Sequence, residues 1–243
     1  MLEVTKEWCD DGGPAMTLAT WWTIDPLPLV RPLPGFHAEP ATDDAALATL
    51  NGISLEEVRA RRAAGHRPYV GLLDGVPVTY GWVATREASI GELGLTVRLP
   101  VEDCYLWDFA TLPEWQGRGL YSRLLQTILI AESRSARRFW ILRAPENTPS
   151  GAGIGKAGLV AVGRLSYRAD GRVALAPLGP IERARAGAAL LGIALDEQVA
   201  PCWRCGEQTA MAGDEDGCGC APVDTAAGCT CAVPLHPPIS RSA

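Results

Sequence analysis

The sequence predicts an α/β fold in which a mixed central β-sheet is flanked by helices. Strand-like and helix-like segments alternate along the chain, and the dipeptides Asp74-Gly75 and Asp170-Gly171 predict an antiparallel hairpin towards each end of this region. Between them, an apolar segment at 102–112 leads through a glycine-bearing turn into an amphipathic helix. Hairpins combined with a strand–turn–helix crossover predict both parallel and antiparallel pairing in one sheet.

The composition limits the classes of partner. The 243-residue chain is 47% hydrophobic and 21% charged, which suffices for one domain with a core and additional segments. A net charge of −6 without a long basic block argues against a nucleic-acid partner. The N-terminus lacks the pattern of a signal peptide, and the apolar runs are shorter than the roughly 20 residues of a membrane span. We therefore expect a cytoplasmic protein with no membrane partner.

The chain before the glycine turn is predicted to begin with an extension and continue into strands and short helices. Arg59, Arg61 and Arg62 lie on the second of these helices and are interpreted as a solvent-exposed face. The predicted elements are a β-rich stretch at 17–24, a proline-rich strap at 25–35, a strand at 36–40, helices at 43–50 and 54–64, and a hairpin of 67–73 with 76–85.

The glycine turn is the feature around which the rest of the chain is organised. Pro113 ends the preceding strand, and Gln116-Gly117-Arg118-Gly119 then runs directly into a helix. The first N–H groups of a helix lack partners within the helix, and the helix dipole places partial positive charge there. The arrangement therefore predicts an anion site, although it matches neither a Walker loop nor a dinucleotide fingerprint.

The chain after the turn is predicted to add the remaining strands of the sheet, followed by an extra helix outside the domain. One helical face of the segment that follows the turn is apolar, with Leu120, Leu124, Leu125, Ile128 and Leu129. The later predicted elements are a strand at 138–143, a short helix at 150–157, a hairpin of 164–167 with 172–176, and an extra helix at 181–195.

Three sequence motifs together resemble the GNAT superfamily of acyl-CoA N-acyltransferases. They are Gln116-x-x-Gly119 after Pro113, then Asn147-Thr148-Pro149-Ser150 and Lys156-Ala157-Gly158-Leu159. The resemblance covers roughly residues 36–176. The chain is accordingly divided into an N-terminal extension (1–35), a GNAT domain (36–176), an extra helix or linker (177–201), a Cys-rich segment (202–231) and a disordered tail (232–243).

The resemblance implies acetyl-CoA as cofactor and gives its expected contacts. The backbone around the turn would hold the pyrophosphate, and the end of the preceding strand would pair with the pantetheine arm. Asn147 is either a cofactor contact or the cap of the next helix. The cofactor-binding residues so implied are Phe109, Ala110, Thr111, Gln116, Gly117, Arg118, Gly119, Leu120, Tyr121, Ser122 and Asn147.

The sequence departs from the family at three positions. Tyr121 replaces a small residue of the pyrophosphate motif, so its phenol must point away from the phosphates or narrow the site. Leu142 and Ile154 stand where family members carry a glutamate base and a tyrosine acid. We expect Asp108, and after it Tyr105, to supply the catalytic group, with water as a relay. These two residues face opposite sides of a regular strand, so both can reach the substrate only if a bulge intervenes.

Six cysteines cluster after residue 201 and predict a possible zinc site. They form one C-x-x-C and two C-x-C pairs, at Cys202, Cys205, Cys218, Cys220, Cys229 and Cys231. Four thiolates would complete a tetrahedral site. A reduced tail without metal and a set of disulfides are the alternatives.

The function predicted from the sequence is transfer of an acetyl group from acetyl-CoA to a primary amine, by direct attack in a ternary complex. The acceptor is a small-molecule or peptide amine, and the sequence indicates neither its identity nor the oligomeric state. The alternatives are a non-catalytic acyl-CoA-binding regulatory protein and a metal-binding or interaction module that acts through the Cys-rich tail.

Overall fold

A computed structural model of the chain describes residues 16–144, 147–167 and 172–196. The described strands are β1 (Met16–Trp22), β2 (Phe36–Pro40), β3 (Arg67–Leu73), β4 (Val76–Ala84), β5 (Glu87–Ile90), β6 (Leu95–Arg98), β7 (Asp103–Thr111), β8 (Arg138–Arg143), β9 (Val160–Tyr167), β10 (Val173–Pro177) and β11 (Ala194–Leu195). The described α-helices are α1 (Asp44–Asn51), α2 (Leu55–Ala63), α3 (Leu120–Glu132), α4 (Thr148–Ala157) and α5 (Ile181–Leu191).

The strands form a mixed sheet, as the sequence predicts. Its order in the described residues is β11-β10-β9-β1-β8-β7-β4-β3-β2, and β5 pairs with β6 in a separate hairpin. Antiparallel pairs predominate, whereas β7 and β8 run parallel because α3 forms the crossover between them. This parallel pair lies near the middle of the sheet, directly before and after the helix that follows the glycine turn, and β10 and β11 form a second parallel pair at one edge.

Helices cover both faces of the sheet. Apolar residues of α3 and α4, among them Leu125 and Ile154, pack against Leu106 and Ile141 on one face. On the opposite face α1 and α2 pack over Trp82, and α5 and the β5–β6 hairpin pack over Tyr105 and Trp140. We call these the α3 face and the α1 face. β7 contributes side chains to both the α3 face and the α1 face.

Helix capping follows the predicted signals. The Asp43 carboxylate accepts hydrogen bonds from the N–H groups of Ala45 and Ala46, and the Ser54 hydroxyl accepts one from Glu57 N–H. Gly52 ends α1 in the left-handed region, with φ of 70°. These caps therefore fix where α1 begins and ends and where α2 begins.

Two elements differ from the sequence-based prediction. β1 lies inside the sheet between β8 and β9, so a strand of the predicted extension pairs with the strands of 36–176. Helix α5 ends at Leu191, and Ala194–Leu195 form the short edge strand β11. The helix stops early because Gly192 adopts φ of 66°, a conformation that leaves the α-helix.

The segment 23–35, which contains the proline-rich strap at 25–35, crosses from β1 to β2 over the α3 face. The side chain of Gln126 donates a hydrogen bond to the Pro28 carbonyl at 2.7 Å, and Arg123 donates to the Arg31 carbonyl at 2.8 Å. The strap begins at an ion pair between Asp25 and Arg183 of α5. No helix in the described part of the chain is long and apolar enough to cross a membrane.

Candidate functional site

The connection from β7 to α3 adopts an open turn. Gly117 and Gly119 both have positive φ, of 76° and 70°, which residues with a Cβ rarely adopt. Gly119 is the N-cap of α3 and offers no side chain to the first N–H groups of the helix. A Cβ placed at Gly117 would meet no atom within 4 Å. The first N–H groups of α3 are therefore not capped by a side chain of the N-cap residue, as an anion site requires.

Side chains around the turn hold its shape. Gln116 Nε2 donates to the Thr111 carbonyl at 3.0 Å and so ties the turn to the end of β7. Arg123 Nη1 donates to the Gly119 carbonyl at 2.9 Å from the next turn of α3. The Arg118 guanidinium lies 4.7 Å from the ring centre of Trp115. Gln116 and Arg123 thus use their polar groups on protein carbonyls and stabilise the turn.

A cavity of about 410 Å³ lies beside the turn. Its lining comes from the strap, from the start of α3 and from the end of α4: Pro28, Leu29, Val30, Gly119, Ser122, Arg123, Gly155 and Lys156. Two of these residues are cationic, and two are glycines. The cavity is therefore suited to an anionic ligand that lies across the start of α3.

β7 and β8 separate before β7 ends. Their parallel pairing runs from Asp103 opposite Arg138 to Leu106 opposite Ile141, and no pairing with β8 is described beyond that point. The other edge of β7 stays paired with β4 as far as Thr111. The edge of residues 107–111 that faces away from β4 therefore borders an opening, and this segment contains the predicted pantetheine-binding stretch Phe109–Thr111.

The Tyr121 phenol points away from the glycine turn. Its ring lies edge-on to Phe109, with centroids 5.5 Å apart, and packs so closely on α4 that a Cβ at Gly153 would overlap it. The hydroxyl is 3.3 Å from the Ser150 hydroxyl. Burial raises the pKa of Tyr121 to about 12, and the Ser150 hydrogen bond lowers it in part. The phenol fills the α3–α4 interface and leaves the turn open.

The side chain of Asn147 acts as a helix cap. Its Oδ1 accepts a hydrogen bond from Ser150 N–H at 3.1 Å, at the start of α4. A cofactor contact by the same side chain remains a prediction. Ile154 is 4% exposed within the core of the α3 face, and Leu142 packs against the core of the α1 face. Neither aliphatic side chain can exchange a proton.

Asp108 lies at a β-bulge. Tyr80 pairs with Ala110 and Trp82 pairs with Trp107, so Gly81 alone faces both Asp108 and Phe109. Asp108 has φ of 49°, and such conformations of residues other than glycine cluster at functional sites. The bulge turns the Asp108 side chain to the α1 face and the Phe109 ring to the α3 face. A bulge between Tyr105 and Asp108 was the condition that the sequence analysis set for both side chains to reach the same face.

The Asp108 carboxylate is held by two helices. Arg61 Nη1 of α2 and Asn51 Nδ2 of α1 both donate to its Oδ2. Asn51 Oδ1 in turn accepts from Trp82 Nε1 at 2.7 Å. The Arg61 guanidinium also stacks on the rings of Trp82 and Trp107, at 5.1 and 4.6 Å from their centroids. Asp108 remains 28% exposed, so its carboxylate is both positioned and accessible.

Arg61 is the functional candidate that sequence reasoning missed. Its side chain is only 15% exposed, whereas the sequence-based interpretation placed it on a solvent-exposed face with Arg59 and Arg62. That interpretation is wrong for Arg61, because the side chain turns under α2 towards β7. No local pattern distinguishes Arg61 from Arg59 on the same helix. Only the packing of α2 over β4 and β7 does so.

Tyr105 lies deeper in the same face than Asp108. It is 5% exposed and belongs to the core that contains Leu18, Trp140 and Ala184. His66 lies near the Asp108 group, with its ring edge-on to Trp107 at 5.0 Å between centroids. Burial, and then the charge of Arg61, lowers the pKa of His66.

A second cavity, of about 630 Å³, lies at the opposite end of α3. Its lining includes Arg62, Arg67, Tyr69 and Glu132. The Tyr69 hydroxyl donates to Glu132 Oε1 at 2.8 Å, and Arg67 Nη1 lies 2.9 Å from Glu132 Oε2. The buried carboxylate thus joins α3 to β3 through the Tyr69 hydrogen bond and the ion pair with Arg67.

No cluster of three or more metal-ligating side chains occurs among the residues that the structure describes. The six cysteines of the predicted zinc site lie outside them. Cys104 is described and lies buried in β7. Burial raises its pKa to about 12, which makes it a poor thiolate ligand.

A family model described as the acetyltransferase (GNAT) family matches residues 35–154. No curated protein matches the sequence.

Solved structures are similar to parts of this chain at low sequence identity. A GNAT-family protein from Novosphingobium aromaticivorans is 18% identical, with a TM-score of 0.43, over 61% of this chain and 60% of that one. yncA from Salmonella typhimurium, solved with its cofactor acetyl-CoA, is 16% identical over 54% and 81%, with a TM-score of 0.40. Aminoglycoside N-acetyltransferase AAC(6')-Iy in complex with CoA is 16% identical over 50% and 90%, with a TM-score of 0.40.

Proposed function

Residues 35–154 belong to the acetyltransferase (GNAT) family, and from this premise we propose that the protein transfers an acetyl group from acetyl-CoA to a primary amine. The amine attacks directly in a ternary complex, without an acyl-enzyme. The observation that carries the proposal is the open glycine turn at the start of α3, placed beside the point where β7 separates from β8.

The candidate cofactor site offers polar backbone groups for two parts of acetyl-CoA, the pyrophosphate and the pantetheine arm. The uncapped N–H groups at the start of α3, from Gly119 onwards, would hold the pyrophosphate, with Arg123 and Lys156 adding positive charge beside it. The unpaired edge of Phe109–Thr111 would pair with the pantetheine arm as an added strand. When bound, acetyl-CoA supplies the acetyl group as a thioester, an acyl donor with a tolerable leaving group.

The backbone of β7 would also polarise the thioester carbonyl. An N–H group of the Phe109–Thr111 edge faces the opening and would stabilise negative charge on the carbonyl oxygen. The bulge contributes by fixing the orientation of this segment against β4. Polarisation of the carbonyl by the backbone needs no side chain. It is therefore compatible with Leu142 and Ile154, which cannot exchange a proton.

Asp108 is our proposed base. Its carboxylate lies on the α1 face of the same β7 segment and is partly exposed, and it would take the amine proton directly or through a water molecule. Arg61 and Asn51 both donate to its Oδ2, so Oδ1 would be the oxygen that takes the proton. Trp82 and Trp107 stack with Arg61 and so fix the ion pair. Tyr105, our second candidate, is buried in the core and would need a water chain.

The acceptor would enter over the α1 face, beside the junction of α1 and α2. The partly exposed carboxylates of Asp108 and Glu57 and the partly buried indole ring of Trp107 form the described surroundings. These groups suit a cationic amine on a small molecule or a peptide. The short apolar runs of the sequence support a cytoplasmic location for this activity.

The test is acetyl-CoA turnover over a panel of amines, followed by thiol release, together with CoA binding by calorimetry on the same sample. Binding with turnover on one class of amine is the expected result. Binding without turnover on any amine would favour the alternative of a regulatory acyl-CoA-binding protein, to which the aliphatic residues Leu142 and Ile154 point. Absence of binding would contradict both.

The Cys-rich tail supports a second proposal, that residues 202–231 bind zinc. The observation is the spacing of its six cysteines in one C-x-x-C and two C-x-C pairs. The test is the metal content of the full-length protein by mass spectrometry, compared with the double variant Cys202→Ser/Cys205→Ser. Stoichiometric zinc that is lost in the variant is expected, and metal-free protein after purification with zinc would contradict the proposal.

A further inference from the structure

The proline-rich strap at 25–35 lies along α3, beside the glycine turn. Its residues 25–34 precede the match with the family model, which begins at residue 35. Pro28, Leu29 and Val30 of the strap line the cavity of about 410 Å³ that adjoins the turn. A segment outside the family match therefore supplies part of the wall of the candidate cofactor site.

Contacts within the chain hold this wall in place. Gln126 Nε2 donates to the Pro28 carbonyl at 2.7 Å, and Arg123 Nη2 donates to the Arg31 carbonyl at 2.8 Å. Pro28 also packs on the end of α4, since a Cβ at Gly158 would lie 2.7 Å from its Cδ. The prolines of the strap restrict its backbone to extended conformations. The wall is therefore held by the protein itself and needs no ligand to form.

The cavity combines an apolar wall with positive charge. Leu29 is 94% exposed although its side chain is large and apolar, and Pro28 and Val30 lie on either side of it. Arg123 and Lys156 add cationic groups to the same lining. Apolar surface next to cations suits a ligand that carries both an aromatic ring and phosphate groups.

The cavity is continuous with the glycine turn, because Gly119 lines it as well. In CoA the group that follows the pyrophosphate is adenosine with a 3′-phosphate, which has both the ring and the charge. We propose that the strap is a donor-specificity element, in which Leu29 packs against the adenosine end and thereby favours free acyl-CoA over acyl groups carried on protein-bound phosphopantetheine. The proposal rests on the proposed function, because it takes the pyrophosphate to lie on the turn.

A donor attached to a carrier protein lacks the groups that this cavity recognises. Its phosphopantetheine ends in a single phosphate that is joined to a serine of a folded domain. It offers no ring to Leu29 and no further phosphate to Arg123 or Lys156. The surface of the carrier domain would also approach the turn on the side where the strap lies. Missing contacts and steric conflict therefore act in the same direction.

Calorimetry of the full chain with CoA and with 4′-phosphopantetheine tests the proposal. The wild-type protein should bind CoA about 100-fold more tightly, because phosphopantetheine lacks the whole adenosine end. Leu29→Ser should weaken CoA binding about tenfold and leave phosphopantetheine binding unchanged. The variant should fold normally, since the side chain it replaces is outside the core.

Ile24→Ser is the matched control, because Ile24 is 82% exposed in the segment just before the strap and does not line the cavity. It should leave the affinities for both ligands unchanged. In turnover assays of the wild-type protein, an acetylated acyl carrier protein should give a kcat/KM at least about 100-fold below that of acetyl-CoA.

Equal affinities of the wild-type protein for CoA and 4′-phosphopantetheine would overturn the inference and leave the glycine turn as the cofactor site. A loss in Leu29→Ser that is the same for both ligands would also overturn it, because the strap would then act on the turn and not on the adenosine end. Failure of the wild-type protein to bind either ligand would overturn the proposed function itself.

Discussion

The two faces of β7 contribute different chemical groups to the proposed site: one contributes backbone groups, and the other contributes side chains. On the α3 face, two glycines, helix N–H groups and the unpaired edge of the strand make up the cofactor half. On the α1 face, Asp108, Arg61, Asn51 and Trp82 make up the acceptor half with their side chains. The first half is local in sequence, whereas the second joins residues up to 57 positions apart. Backbone sites tolerate changes of side chain, and side-chain networks do not.

The largest effect on the backbone-built cofactor half is expected from a substitution of Gly119. Gly119→Glu should weaken CoA binding about 100-fold or more, because a carboxylate at φ of 70° repels phosphate and disturbs Arg123. Calorimetry with CoA measures the effect. Gly52→Glu is the matched control, since Gly52 also has φ of 70° but ends α1 on the other face. Normal CoA affinity in Gly119→Glu would remove the turn from the cofactor site.

A loss of chemistry without a loss of cofactor binding is expected at Asp108. Asp108→Asn should lower kcat about 100-fold, because the amide cannot accept a proton, while the CoA dissociation constant stays the same. Steady-state kinetics and calorimetry on one sample measure both values. Asp44→Asn serves as control, because Asp44 also forms an ion pair with an arginine of α2. An unchanged kcat in Asp108→Asn would exclude Asp108 as the base.

A stability effect is expected at Arg61. Arg61→Met should lower the free energy of unfolding by about 2 kcal/mol, because it leaves Asp108 without its charged donor and removes the stacking on two indoles. Urea unfolding measures this loss. Arg59→Met changes an exposed residue of the same helix and should cost less than about 0.5 kcal/mol. Equal losses in the two variants would show that Arg61 is not part of a packed network.

The smallest expected effect is a pH dependence from His66. Its pKa is lowered in the folded protein, by burial first and then by Arg61, with Glu87 opposing the shift. Below the ordinary value of 6.5, the unfolded chain takes up this proton more readily than the folded one, so stability falls as pH falls through that region. His66→Gln should flatten the fall in Tm between about pH 7.5 and about pH 5.5.

The wild-type protein, measured over the same pH range, is the reference for this comparison. A profile that stays steep in His66→Gln would place the responsible group elsewhere.

Most of the sheet and its helices were predictable because their signals are local. The caps Asp43 and Ser54 and the turn Asp74-Gly75 each act within a few residues. The location of β1 between β8 and β9 was not predictable, since any β-rich segment can fill a position in a sheet.

The candidate site divides in the same way. The glycine turn was readable from spacing, whereas the sequence left open whether the Tyr121 phenol points away from the turn or narrows the site. The Asp108 bulge depends on Gly81 facing two residues of β7, and the Arg61 contact depends on how α2 packs. Both are consequences of tertiary structure, so neither leaves a pattern along the chain.

Hydrogen–deuterium exchange of the wild-type protein with and without acetyl-CoA tests the central claim most directly. If backbone groups of β7 and α3 hold the cofactor, amides in peptides covering 107–122 should exchange more slowly when it is bound, while peptides covering α1 and α2 should change little. Saturating acetyl-CoA that leaves 107–122 unprotected, or that protects α1 and α2 instead, would contradict the account.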